Sequence, residues 1–170
     1  GETYTTDGRQ VSSEKKRRSH GAIKHCTPLV DALMENLLVF EENGDSMPKS
    51  DYTMKLIAFL STICVFTEVA PVDVLRHVDQ ILPYLKADNG VLERLEGDVV
   101  RRACDIVSGV AAFLSRAQIL ELTRSSLMED LKGITCRFGN AAVNSAVRTV
   151  CCLAKHTDLD SDNIFLTKLR

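Results

Sequence analysis

Between Leu56 and Lys86 two amphipathic runs meet at a single proline, Pro71, and that pair restricts the chain to helix-on-helix packing. In the first run Ile57, Leu60, Ile63, Cys64, Phe66 and Thr67 recur at three- and four-residue spacing. In the second, Val74, Leu75, Val78, Ile81, Leu82 and Leu85 do the same beside a polar face of Asp73, Arg76, Asp79, Gln80 and Lys86. Pro71 suits the first turn of a helix, where its missing N–H leaves nothing unpaired. Pro83 falls inside the second run and is expected to kink it near Asp79, whose carbonyl loses its usual donor. A hairpin of this kind cannot cover its own apolar faces and requires neighbours on both sides.

The wider chain supplies such neighbours. Helices are expected at about 27–43, 51–69, 72–86, 97–115, 118–138, 140–156 and 159–170, the fifth interrupted near Thr123 to Ser126. Thr27 is placed to cap the first, with Pro28 at its first turn. Its stripe is read as Leu29, Leu33, Leu37 and Phe40, widened by Val30, Met34, Leu38 and Val39. A shift of 43 residues sets Val100, Ala103, Val107 and Val110 over Val143, Ala146, Val150 and Leu153. A shift of 46 lays Met54, Ile57 and Val65 over Val100, Ala103 and Ala111. Helix pairs recurring every 40 to 47 residues mark HEAT or armadillo repeats, so the expected fold is all-α, a section of a longer α-solenoid over residues 23–170. A single irregular helical bundle is the other arrangement this pattern allows. Residues 1–22 are polar and basic and read as a flexible arm. The chain opens at Gly1 rather than Met, as an excised fragment would.

Composition agrees with a helical core and narrows the chemistry. Apolar residues make up 45% of the 170, aromatics 5%, and Trp is absent, which suits helix packing better than a β-sandwich. A formal charge of -2 excludes a strongly basic module while leaving room for local basic patches. None of the six cysteines forms a C-x-x-C pair, so reduced core thiols are expected. There is no apolar span of 18 residues free of charge and no signal-peptide pattern, and no membrane partner is expected.

No constellation of catalytic residues emerges. His25-Cys26 lacks a third and fourth ligand at structural-zinc spacing, and the acids of Asp158 to Asn163 lack the glycine and closing glutamate of a calcium loop. His77 could donate to Asp73 one turn earlier, and Cys151-Cys152 point about 100° apart on one helix. No phosphate-binding glycine loop occurs. Neither enzyme activity, cofactor nor metal is expected. Candidate contacts are the basic residues: Lys15, Lys16, Arg17 and Arg18, then Arg101 and Arg102, which have Asp98 one turn away, then Arg137 and Arg148 about the Gly139 turn. Phosphate-backbone binding needs only such cations on a shaped surface. Phosphorylation of Ser12, Ser13 or Ser19 would cancel the charge of the first cluster.

Three stretches carry a family likeness. Leu29 to Asn43, Leu60 to Lys86 (with Pro71, Leu75, His77 and Pro83-Tyr84-Leu85) and Ser126 to His156 together resemble the adherin family. These are the large cohesin-loading proteins of the Nipped-B type. The resemblance covers roughly residues 25 to 157 and depends on several helices in one order. It implies a hook-shaped HEAT solenoid in the nucleus, on chromatin, that grips double-stranded DNA and cohesin subunits to promote sister-chromatid cohesion, without catalytic residues of its own. Further repeats of the same solenoid are implied as neighbours. Condensin HEAT subunits share parts of the pattern, so a condensin-type or other protein-only scaffold that docks a peptide or helix is the alternative. Residues 88–98, the N-terminal arm and the sequence after His156 have no counterpart in the family pattern.

Overall fold

The structure, a computed structural model, describes residues 26–86, 94–137 and 140–155. Among them there are helices and connecting turns and no strand. Helix α1 is Thr27–Glu42 and α2 is Lys49–Val69, the latter beginning behind Pro48. Ala70 precedes Pro71, whose ring disfavours the helical conformation there; its φ of -138° and ψ of 61° end α2. The chain then forms α3 (Pro71–Leu75), α4 (Val78–Ile81) and a 3-10 turn (Leu82–Leu85). Helix α5 is Arg94–Ala111, α6 Arg116–Arg124, α7 Leu127–Arg137 and α8 Asn140–Lys155.

Several boundaries differ from the sequence expectation. The interruption expected in the run 118–138 falls at Ser125–Ser126, between α6 and α7. The run 72–86 breaks earlier than Asp79, at Arg76–His77, where His77 N bonds to Val74 O three residues back at 2.9 Å. Pro83 lies in the 3-10 turn that finishes the run, since its lost donor favours tighter winding. Pro28 does sit in the first turn of α1, but Cys26 is the N-cap residue there and no side chain caps the helix. Thr27 is committed elsewhere: its hydroxyl donates to Asp73 Oδ1 at 2.7 Å. Helix α6 starts two residues before Gln118, because Ser115 and Gln118 form a reciprocal capping box. The expected helix 159–170 lies outside the described residues.

Helices α2, α5 and α8 lie side by side in one layer, with α3–α4 and α6–α7 across the core from them and α1 against α2 and α3. The register between successive helices of the first layer is 43 residues. Leu56, Val99 and Ala142 share one position; Leu60, Ala103 and Ala146 the next; Ile63, Ile106 and Thr149 a third; Thr67, Val110 and Leu153 a fourth. All twelve are buried. The alternative 46-residue match does not hold, because Met54 and Val65 are 61% and 60% exposed whereas Val100 and Ala111 are buried. Three further residues rotate a helix by about 300° and carry a different face into the core.

Close approach and polar satisfaction fix the layer. A Cβ on Gly109 would run into Thr67 Cγ2, so α5 reaches α2 there through the absence of a side chain. Thr67 Oγ1 donates to Ile63 O at 2.8 Å, and Thr149 Oγ1 bonds to both Ser145 O (2.8 Å) and Cys104 O (2.9 Å). These buried hydroxyls are therefore paired, as burial requires.

Helix α2 is 21 residues long and apolar enough, by length and composition, to cross a membrane. Its apolar residues lie on two sides. Leu56, Leu60 and Ile63 enter the core, while Met54, Val65 and Val69 face outward. Lys55 and Glu68 interrupt its apolar run.

Candidate binding surfaces

Of the basic residues singled out by sequence, Arg101, Arg102 and Arg148 are described with their side chains. Lys15, Lys16, Arg17 and Arg18 lie outside the described residues. Arg101 Nη2 meets Asp98 Oδ1 at 3.3 Å, the one-turn pair its spacing suggested. At Arg102, one residue round the helix, the backbone meets α2: Cys64 Sγ donates to its carbonyl oxygen at 3.6 Å. Burial pushes the Cys64 thiol up to about 11, helped by Asp105 and opposed by the Arg102 charge. Arg148 is exposed on α8, and Arg137 is the last residue of α7 in the other layer. Arg101 and Arg148 thus belong to neighbouring helices of one layer, with Asp98 and Asp105 among them.

A polar network ties α1 to the break between α3 and α4. Asp31 Oδ1 accepts from Arg76 Nη2 at 2.8 Å and meets His77 Nε2 at 2.7 Å. The hydrogen bond from His77, with the Arg76 charge, holds the Asp31 carboxyl below its ordinary value of 3.8. His77 therefore pairs with Asp31 on another helix and not with Asp73. Asp73, read as part of a polar outer face, is buried under Thr27. No local signal announces these pairs; the partners are 45 and 46 residues apart.

The network has a pH signature. A carboxyl whose folded pKa lies below its unfolded value stabilises the fold above the unfolded pKa and loses that contribution as pH falls through the folded one. Wild type should melt higher than Asp31→Asn at pH 7, and the two curves should converge as pH falls below the ordinary carboxylate range. Equal melting temperatures at pH 7 would remove the network from the account of stability.

Two open cavities lie between successive helix pairs. One, of about 310 Å³, sits at the start of α2 and α5 and is lined by Lys49, Tyr52, Leu56, Tyr84, Lys86 and Glu96, among others. Lys49 Nζ bridges to Glu96 Oε1 at 2.8 Å between the two helices. Tyr52 donates to both oxygens of Glu41 at 2.8 and 2.9 Å, and burial together with that carboxylate raises the phenols of Tyr52 and Tyr84 far above their usual range. The other, of about 300 Å³, lies between α3–α4 and α6, where Leu75, Val78, Leu114 and Leu122 are rimmed by Arg76 and Glu121.

Among the described residues no three His, Cys, Asp or Glu side chains form a group able to hold a metal ion. Cys26, Cys64, Cys104, Cys151 and Cys152 form no disulfide with one another. Burial raises Cys104 to about 12. Cys151 is exposed on α8 and His77 lies between α3 and α4, so no described cavity joins the two.

Comparison with known proteins gives one consistent likeness. The chain is 27% identical over 135 residues to Nipped-B-like protein scc-2 of Caenorhabditis elegans, which covers 75% of this chain and 6% of that protein. It is 26% identical over 149 residues to Nipped-B-like protein of Homo sapiens and 25% identical to Nipped-B-like protein B of Danio rerio, in both cases over 81% of this chain and 5% of the relative. No protein-family model and no solved structure matches it. The chain is therefore an all-α repeat array, similar at low identity to a stretch spanning about 5 to 6% of the length of these Nipped-B-like proteins.

Proposed function

We propose that the chain is a section of a non-catalytic HEAT-type scaffold of a cohesin-loading protein, working in the nucleus on chromatin and contacting DNA, cohesin subunits or both. The observation that supports this reading is the likeness to Nipped-B-like proteins along most of the chain, together with stacked helix pairs in a 43-residue register. Such stacking exposes long surfaces to a macromolecular partner. Lys15, Lys16, Arg17 and Arg18 supply the densest positive charge, and Arg101, Arg102, Arg137 and Arg148 are the further cations proposed to meet phosphate or a cohesin subunit.

Duplex DNA binding by the 170-residue chain, titrated against salt, tests the DNA part. Contacts from all four residues of the first cluster would contribute a slope of about -3.6 in log K against log salt. Replacing the four with Ala should remove that contribution while leaving helicity unchanged. Failure of the wild-type chain to bind DNA at low salt would overturn DNA contact for this section. The protein-only reading is favoured by the cavity at the start of α2 and α5, where Leu56, Pro83, Val99 and Val100 offer apolar surface to a side chain of a docked peptide. In that case a cohesin-subunit peptide binds and DNA does not.

A further inference from the structure

Helix α2 turns an aliphatic face outward where the other two helices of its layer turn a polar one. Met54, Ala58, Val65 and Val69 recur along it at four- and seven-residue spacing, and Met54 and Val65 are 61% and 60% exposed. In the 43-residue register Ala58 and Val65 correspond to Arg101 and Ser108 on α5 and to Asn144 and Cys151 on α8. The face belongs to none of the packing surfaces of α2. Leu56, Leu60 and Ile63 enter the core, Tyr52 and Phe59 meet Phe40 of α1, and Cys64 and Thr67 meet α5. Repeat stacking therefore neither needs this stripe nor covers it. An aliphatic surface kept on one helix alone marks a docking site.

Charge beside the stripe states what the occupant carries. On α5, Arg102 Nε and Asp105 Oδ1 are buried without a hydrogen-bond partner, and neither side chain joins an ion pair among the described residues. The Cys64 thiol, raised by burial, feels both charges, which places them one turn apart along the α2–α5 seam. A counter-charge at each would relieve the cost of that incomplete pairing. We infer that the outer face of α2 docks one amphipathic α-helix of a partner protein. Its aliphatic stripe lies along Met54, Ala58, Val65 and Val69, and its α5-side edge carries a carboxylate for Arg102 and, one turn on, a Lys or Arg for Asp105. From Met54 to Val69 the stripe is about 22 Å long, which four turns of helix match while keeping their own backbone paired. Duplex DNA would instead set phosphates against aliphatic side chains with Glu68, Asp98 and Asp105 near by. The inference rests on packing and charge at this face and not on DNA or cohesin contact, so its test and theirs fail separately.

The probe is a helical peptide of about 18 residues with one Leu stripe, bearing on one edge a Glu and a Lys one turn apart in the order that faces Arg102 and Asp105. Its isomer has the two exchanged. Turning the isomer end for end would carry its charged edge to the α1 side, so it has no equivalent way to bind. Titrated into the 170-residue chain, the first peptide should bind saturably and the isomer about tenfold more weakly. Val65→Glu in the chain should weaken binding at least about a hundredfold, since a carboxylate would lie buried against the Leu stripe. That variant should keep its helicity and melting temperature, because Val65 is exposed in the unbound chain. Arg102→Gln with Asp105→Asn should bind the two peptides alike. No saturable binding, binding indifferent to Val65→Glu, or equal binding of the two peptides to wild type overturns the inference. So does a dimer of the chain alone that Val65→Glu dissociates, since a second copy would then hold the face.

Discussion

Ile106→Ala should lower unfolding free energy by about 3–4 kcal/mol in urea titrations, with the m-value unchanged. Ile106 is fully buried in the middle of α5, which packs between α2 and α8. A cavity opened there is walled by α2, α8 and the opposite layer, all held by their own packing, so little relaxation is available to fill it. The register sharpens the expectation. Ile63 occupies the same position on α2, and Thr149 occupies it on α8, where the hydroxyl is satisfied by Ser145 and Cys104 carbonyls. A threonine is thus tolerated at this level of the stack where two acceptors meet it. Ile106→Val, which keeps the branched shape, should lose only about 1 kcal/mol. A loss below about 1 kcal/mol for Ile106→Ala would contradict the packing of α5 described above.

Alanine should act with opposite sign at two helical glycines. Gly133 in α7 has open space where a Cβ would stand, so Gly133→Ala should stabilise by about 0.5–1 kcal/mol through helix propensity alone. Gly109 in α5 has Thr67 Cγ2 in that space, and Thr67 is buried with its hydroxyl engaged to Ile63 O. The threonine cannot swing aside without losing that bond or crowding the core. Overpacking of this kind costs about 1–3 kcal/mol, which exceeds the propensity gain, so Gly109→Ala should destabilise on balance. Thr67→Ala in the same chain removes the obstructing methyl and should recover part of the loss. Thermal melts of the two single variants and the double variant measure the coupling. Stabilisation by both glycine replacements would mean that α2 and α5 lie farther apart than the structure has them.

Periodicity located the helices but not always their faces. In α1 apolar residues occur all round, so the stripe Leu29, Leu33, Leu37, Phe40 and its broad margin were equally plausible as an inner surface. Packing against α2 and α3 buries Val30, Met34 and Leu37 and leaves Leu29, Leu38 and Val39 exposed. Pro71 was a reliable boundary because its effect is local and steric. The break at Arg76–His77 was not legible, since its partner Asp31 is 45 to 46 residues away and nothing in the local spacing points to it. The start of α6 is legible locally: Ser115-x-x-Gln118 ahead of Ile119 and Leu122 is a capping-box pattern. The basic residues were legible as composition only. Sequence spacing correctly paired Arg101 with Asp98, but whether scattered cations share a surface depends on how whole helices are stacked, which side-chain identity does not encode.

Five hydrogen bonds between helices of different pairs span 38 to 46 residues, from Cys64–Arg102 to Thr27–Asp73 and His77–Asp31. That span is about one unit and has a kinetic meaning. The search that closes each of these five contacts involves a loop of one unit's length, however many units the polypeptide contains, and loop closure is the entropic toll on folding speed. An array built this way can lengthen without slowing the formation of any single interface. Assembly begins wherever one unit first holds and spreads to its neighbours, as crystal growth does from a seed.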